Sequence, residues 1–501
     1  MKRENDLGRD DIRRLVWRIA LPSMLAQFVS VLYSVVDRMY IGHIADVGSL
    51  ALAGVGVCGP VVTLVGSAAF WVGVGGTPLM SIRLGEEDTP AARRILSSCF
   101  WLLCGLSVVL MAAVLPLREP MLRLFGASGE SYAYADAYFF VYMLGTPFAL
   151  LSVGLNQFII CQGYAKIGML SVMLGAVANI LLDPLFIFGL DMGVRGAAFA
   201  SVLSQAASCA FVLRFLLGRY VPVRLSFGGC RLRTMGRVMV MGLTPFLIIA
   251  LDNVMVITMN AVLQHFGGTD GDRLITTATI AQSFMLVVTM PLGGISGGTQ
   301  AILGFNYGAR RADRVLQAHK RIALLCVGYT ALMTLAAWTV SPLFIRLFTA
   351  DASLQAEAFR AVRICTLAVV PLGIQYAIVD GFTAIGQVQL SLPLSFFRKA
   401  VYFAAVFGLP APGWYFSPNR YRISSARWLR RGCTCCVSAG SSAAAWPPVR
   451  RRSWAALRAP KAVAERRKIY KFSLYCPGQM RYDLYRSSPK GAAKNKGGEK
   501  P

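Results

Sequence analysis

The chain of 501 residues is 55% hydrophobic and only 15% charged, against roughly 45–50% and about 25% in soluble globular proteins, so composition argues against a soluble multidomain enzyme. Of the net charge of +27, +17 sits in residues 412–501, which hold 20 Lys and Arg against 3 Asp and Glu. Basic residues confined to a tail and to short connections are not the folded basic surface that nucleic acid requires, and no nucleic-acid partner is expected. Met1–Arg14 is polar and basic, and the apolar run after it has no small-residue cleavage site, so it reads as a retained span rather than a removed signal. Runs long enough to cross a bilayer lie at 15–41, 50–76, 95–117, 137–161, 167–189 and 196–217, then at 238–263, 274–303, 322–343, 362–385 and 390–411. Their connections are short and leave no room for a cytoplasmic ATPase domain. Cys58, Cys99, Cys104, Cys161, Cys209, Cys326 and Cys365 fall inside these runs and are expected as small buried hydrophobes, while Cys433-Thr-Cys435-Cys436 has no nearby His and is not expected to hold metal.

Placing the N-terminus inside gives 20 Lys and Arg in the inner connections, from Lys2 to Arg321, and 8 in the outer ones, from Arg38 to Arg363. The positive-inside rule therefore favours that orientation. Sliding the chain against itself by 223 residues aligns Pro22 with Pro245, Gly75 with Gly298, Gly85 with Gly308, Gly163 with Gly386, and Arg123-Leu124-Phe125 with Arg346-Leu347-Phe348. Single glycine matches are cheap, but a repeated tripeptide is not. The expected fold is an all-α polytopic membrane protein of two pseudo-symmetric six-helix halves, a parallel repeat of the kind transporters use with the route between the halves.

Four acids lie inside apolar runs: Asp37, Asp183, Asp252 and Asp380. A carboxylate at membrane depth costs at least about 2.5–3.5 kcal/mol on insertion scales and asks for a function. Asp37 is about 33 Å along the first span and Asp183 about 24 Å along the fifth at ~1.5 Å per residue, which puts both in the outer half. Asn179 and Asp183 share a helix face, and Pro184 cannot donate to the carbonyl of Ile180. Ser201 enters at the same depth on span six. Two acids, an amide and a hydroxyl make the oxygen-rich chemistry of a proton or Na⁺ site; the plainer alternative pairs Asp37 with Arg38 and makes Asp183-Pro184 a turn at a span end. Asp252, near mid-membrane in span seven, is a candidate second cation or substrate contact. Asp380 could equally face a polar cavity or pair with an Arg. Gly293–Gly298 lacks the Lys-Ser/Thr of a phosphate cradle and fits close helix packing.

Ala20-Leu-Pro-Ser, Val35-Val-Asp37-Arg-Met-Tyr-Ile-Gly42, Asn179-Ile-Leu-Leu-Asp183-Pro-Leu-Phe, Gly193-Val-Arg-Gly-Ala-Ala-Phe-Ala-Ser201 and Gly297-Gly-Thr-Gln-Ala-Ile-Leu-Gly-Phe-Asn306-Tyr-Gly308-Ala together resemble the multidrug and toxic compound extrusion (MATE) family, on its bacterial DinF-like and MepA-like branch, over residues 10–411. The resemblance implies that Asp37, Asn179, Asp183 and Ser201 form the cation site of the first half, with Ser201 where threonine is often found, and that Asp252 matches a helix-seven acid of NorM-type members. Asp380 matches no family position. It further implies a secondary transporter rather than an enzyme, monomeric in a bacterial cytoplasmic membrane, with no cofactor. Such a protein exports organic, often cationic drugs against H⁺ or Na⁺, with no metal beyond Na⁺ at Asp37, Asn179 and Asp183. A lipid-linked saccharide flippase of the same superfamily and a non-transporting protein with a partner-binding basic tail are the alternatives.

The expected organisation is a cytoplasmic N-terminus at 1–14, a six-helix lobe at 15–217, a basic inter-lobe loop at 218–237, a second lobe at 238–411 with five clear spans, and a basic tail at 412–501. The repeat calls for a twelfth span at 419–440, where the chain instead reads Asn419-Arg-Tyr-Arg-Ile-Ser-Ser-Ala-Arg and cannot cross a bilayer. A twelfth helix is thus expected to be missing or replaced, as a frameshift or a misassigned reading frame in a GC-rich gene would cause, with a genuine basic tail as the rival.

Overall fold

The computed structural model describes residues 5–397, apart from 45–46, 126–130, 220, 268–270 and 347–350. Among the described residues the regular structure is helical, with no strand. The first half contains α1 (Ile12–Gly42), α2 (Gly48–Gly85), α3 (Thr89–Val114), α4 (Arg118–Leu124), α5 (Tyr132–Leu144), α6 (Thr146–Cys161), α7 (Ala165–Pro184) continuing into a π turn (Leu185–Gly189), and α8 (Gly193–Leu217). The second contains α9 (Leu232–Gly267), α10 (Gly271–Gly308), α11 (Ala312–Thr339), α12 (Ser341–Arg346), α13 (Ala352–Thr366), α14 (Val369–Ala384) and the short apolar α15 (Val388–Phe397). Residues 412–501, the expected place of the twelfth span and most of the eleventh lie outside the described residues.

Among the described residues eight helices have the length and apolarity to cross a bilayer alone, and two bent pairs, α5–α6 and α13–α14, have them together. The fourth and tenth runs of the sequence are therefore broken spans, with bends of 55° and 43°. Proline explains the positions: Pro147 opens α6, and Pro371 withdraws a backbone donor at the start of α14. Outward faces are apolar, as at Leu181 (67% exposed) and Leu335 (62% exposed), which suits contact with lipid tails. Cys58, Cys99, Cys161, Cys209 and Cys326 are buried as expected, and Cys104 is half-buried; Cys365 departs, lying on an exposed face of α13.

The repeat is visible in the backbone. Adding the 223-residue offset to the bounds of α2 gives those of α10, and adding it to those of α6 gives those of α14. The two broken spans correspond. Glu87 and Arg310, related by the same offset, both take the left-handed conformation at φ 62° and 58°, as do Gly163 and Gly386 at 93° and 81°. A strained left-handed backbone at a non-glycine residue is uncommon, so its recurrence at equivalent positions of different residue type reflects a shared backbone path.

The halves meet chiefly through α1 and α2 of the first and α9 and α10 of the second, with α1 packed on α10, α9 on α2, and α2 on α10. Helices in lipid gain little from excluding water, and contact is closest where side chains are absent. At the end of α2 a Cβ on Gly85 would overlap the carbonyl of Phe305, and one on the equivalent Gly308 would overlap that of Ile82. Ile82 and Phe305 are themselves offset equivalents, so the pseudo-twofold axis passes between these glycines. Gly242 of α9 lies against the backbone of Trp71, whose indole donates to Met239 O at 2.8 Å and stacks on Phe246 at 4.4 Å. Opposite, Gly294 and Gly298 of α10 seat Ser23 of α1, while Gly297 faces open space. The glycine-rich stretch is thus a helix-packing surface.

Candidate ion site of the first half

Asn179, Asp183 and Ser201 come together as their spacing suggests. Asp183 is fully buried, and Asn179 and Ser201 are 1% and 9% exposed. The Asn179 amide nitrogen donates to Asp183 Oδ1 at 3.0 Å and to Ser201 Oγ at 3.4 Å, tying α7 to α8. Asp37 approaches the same place from α1, which packs along α7, and its carboxyl lies within electrostatic reach of Asp183.

Local geometry explains how the chain builds this corner. Pro184 has no N–H, the helical ladder widens after it into the π turn, and the chain closes with Leu190 N–H donating to Leu185 O and Met192 N–H to Phe186 O, at 2.9 and 3.1 Å. Single π turns of this kind inside α-helices are frequent at functional sites. Gly196 then lets α8 rest on the turn, since a Cβ there would stand 2.6 Å from Phe186 O. Asp183 is consequently inside a helix and buried, not a turn residue at a span end. Among the described residues no ion pair within 4 Å joins Asp37 to Arg38, although Arg38 is within electrostatic reach of Asp37.

The chemistry lies in what is left over. With the Asn179 amide nitrogen committed, Asp37 Oδ1, Asp183 Oδ2 and Asn179 Oδ1 are buried acceptors without a hydrogen-bond partner. Buried oxygens are almost always satisfied in folded proteins. Three unsatisfied ones, two of them on neighbouring carboxyl groups, repel each other and attract a proton or a hard cation, which oxygen ligands suit. Asp252 is in the other half, on α9, half-buried, with the amide of its neighbour Asn253 donating to Ile249 O at 2.9 Å. It does not join the four.

Sequence reading misses an outer layer. Tyr33 of α1 and Tyr138 and Tyr142 of α5 lie within electrostatic reach of Asp37; the two α5 rings stack at 5.8 Å, and Gln205 of α8 donates its amide to the Tyr142 hydroxyl at 3.2 Å. The available signal is the four-residue spacing: Tyr33 with Asp37, Tyr138 with Tyr142, and Ser201 with Gln205 each share a helix face. Ser201→Ala is expected to weaken cation-dependent activity about tenfold and Ser201→Thr to preserve it, because only the first removes the hydroxyl that orients Asn179. Activity against cation concentration for both variants measures this.

Two repeated helical halves with an apolar outer surface define a polytopic membrane protein. A model of the MatE family matches residues 22–185 and 247–406, one stretch in each half. The chain belongs to the MatE family, whose members are transporters and not enzymes. It is similar to the multidrug export protein MepA of Staphylococcus aureus strain N315, at 23% identity over 403 residues, covering 80% of this chain and 87% of MepA. MepA of Staphylococcus saprophyticus is 25% identical over 374 residues, 74% of this chain and 80% of its own. In fold it is similar to an outward-facing multidrug resistance MATE family transporter of the MOP superfamily, with TM-score 0.75 and 23% identity over 87% of this chain and 98% of that one. A MOP superfamily transporter from Pyrococcus furiosus, whose binding pocket of reverse polarity is said to suggest a different function, gives TM-score 0.78 and 23% identity over 90% and 98%.

Proposed function

We propose that the protein is a secondary antiporter that exports organic, often cationic drugs or toxic compounds in exchange for H⁺ or Na⁺. The observation that carries this reading is the cluster of buried, unpartnered oxygens on Asp37, Asp183 and Asn179. In it, the ion binds at Asp37, Asn179, Asp183 and Ser201, and Asp252 is a cation or substrate contact of the second lobe. The MepA relatives support drugs as the cargo. We read 15–217 and 238–411 as the two lobes, 218–237 as the inter-lobe loop, and the N-terminus as cytoplasmic, since the connections on that side are the basic ones. Seated as a monomer in a bacterial cytoplasmic membrane, such a protein has the driving force it needs: one charge moving through 100 mV releases about 2.3 kcal/mol, equivalent to roughly a fifty-fold gradient of a neutral substrate.

Efflux of ethidium from energised cells expressing the full chain tests the reading. Efflux that stops with a protonophore identifies H⁺, and efflux that stops on Na⁺ removal identifies Na⁺. Absence of efflux of ethidium and of other organic cations, together with movement of a lipid-linked saccharide across vesicles, overturns it in favour of the flippase.

A further inference from the structure

The residues before α1 are folded into the contact between the halves. Asp6 Oδ1 accepts from the N–H groups of Gly8 and Arg9 at 2.9 and 3.1 Å, which turns the segment and leaves its carbonyls for other partners. Those partners belong to the second half. Asn306, at the end of α10, donates to Leu7 O at 3.0 Å. Arg314, on α11, donates to Asp10 O at 2.7 Å and to Leu7 O at 3.4 Å, and is itself held by Asn306 Oδ1 at 3.0 Å. Arg311 donates to Gly8 O. Leu7 is 5% exposed, in one apolar cluster with residues of α10 and α11, and Gly8 abuts the Phe305 ring. In the other direction, Asn5 donates to Gly163 O at 2.8 Å, at the left-handed turn between α6 and α7 of the first half. A segment of the first half is therefore fastened to the second beside the Gly85–Gly308 contact.

The arrangement has a counterpart. The residues before α9 are held by α3 of the first half: Trp101 donates to Phe227 O at 2.9 Å, Ser97 to Gly228 O at 2.9 Å, and Arg231 N–H to Ser98 Oγ at 3.3 Å. Since α3 and α11 are equivalent under the repeat, each lobe's leading segment crosses to the same helix of the other lobe. The first strap differs by using guanidinium donors, whose hydrogen bonds are stronger than those of the neutral indole, hydroxyl and backbone donors in the second.

We propose that Asn5–Asp11 is a latch that holds this face of the transporter closed, and that α1 connects it to the ion site. The halves cannot part here without breaking either the bonds from Asn306, Arg311 and Arg314 or the single bond from Asn5. The latch runs directly into α1, and the far end of α1 carries Asp37 against Asp183. One helix is therefore tied to the second lobe at one end and to the first lobe's ion site at the other, so occupancy of the site changes the load on the latch. This inference rests on the ion-site reading and deepens it.

Cys161 supplies a reporter. It is 1% exposed and lines a small pocket between the halves with Thr77, Ser81, Gln157, Gly298 and Gln300. The experiment is the rate of maleimide modification of Cys161 in the full chain in inside-out vesicles, with Cys161→Ser subtracting the other thiols. Arg314→Ala is expected to raise the rate about tenfold, the worth of one charge-assisted hydrogen bond, and to abolish the change that Asp37→Asn produces in the unmodified background. Asn5→Ala, which leaves the second-lobe contacts intact, is expected to raise it in the same direction and decides the matter if Arg314→Ala does not fold. A rate unchanged in the folded latch variants overturns the latch. Asp37→Asn that exports drug at the full rate overturns the ion-site reading instead, so the two failures are distinguishable.

Discussion

Asp183→Asn is expected to abolish cation-driven export while leaving the protein folded. The substitution keeps the volume of a fully buried side chain, and its new Oδ1 can still accept from Asn179. What it removes is charge. Asp37→Asn does the same from the other helix, and either change leaves one carboxyl where the proposed antiport uses two. A site that no longer distinguishes its loaded from its empty state cannot convert the membrane potential into substrate movement, so the gradient sustained by one coupled charge, up to about fifty-fold at 100 mV, should fall to that of cells without the protein. Drug accumulation in energised cells, normalised to membrane-inserted protein, measures it. Asp183→Glu is the informative companion: it retains the charge but forces an extra methylene into a closed site, at a typical overpacking cost of about 1–3 kcal/mol, so partial export is expected. Full export by both Asn variants would exclude these carboxyls from coupling.

Much of that site is legible in the sequence because its parts obey helical periodicity and membrane cost together. Asn179 and Asp183 share a face by spacing, an acid in an apolar run is expensive, and helix length fixes its depth. Asp252 and Asp380 satisfy the cost criterion equally well, and cost alone does not say which acids meet. The meeting of Asp37 with Asp183 depends on α1 crossing to pack on α7, a tertiary fact with no local signature. Tyr142 and Gln205 escape for a related reason: neither costs enough in an apolar run to be singled out, and their bond joins helices 63 residues apart in sequence. At the level of the fold, the 223-residue offset is read from a few identities and reappears in helix bounds and left-handed residues. The broken spans are less legible, since Pro147 lies inside an apolar run that continues on both sides of it. The latch is hidden for the opposite reason: a short polar N-terminus looks like a solvated end, and only the positions of Asn306, Arg311 and Arg314 show that its carbonyls have partners.

The repeat makes a quantitative demand on the contact between the lobes. Gly85 and Gly308 are equivalent, and each meets the carbonyl that the other's neighbour supplies, Phe305 in one case and Ile82 in the other. A methyl group at either position must push α2 from α10, and a backbone carbonyl cannot swing aside as a flexible side chain can. Gly85→Ala and Gly308→Ala are therefore each expected to destabilise the protein by about 1–3 kcal/mol, and by similar amounts. This outweighs the gain of up to about 1 kcal/mol that alanine brings to a helix interior. Gly59→Ala, on α2 with nothing within 4 Å of its Cβ position, should keep that gain and be neutral or stabilising. The double variant should cost less than the sum of the two, because helices already parted by the first methyl have made room for the second. Thermal unfolding of the four variants against the unsubstituted protein in detergent measures the set. Equal single costs with a sub-additive pair follow from an axis that passes through this contact; unequal or additive costs would mean that the two glycines bear on separate contacts and that the closed face is asymmetric at its centre.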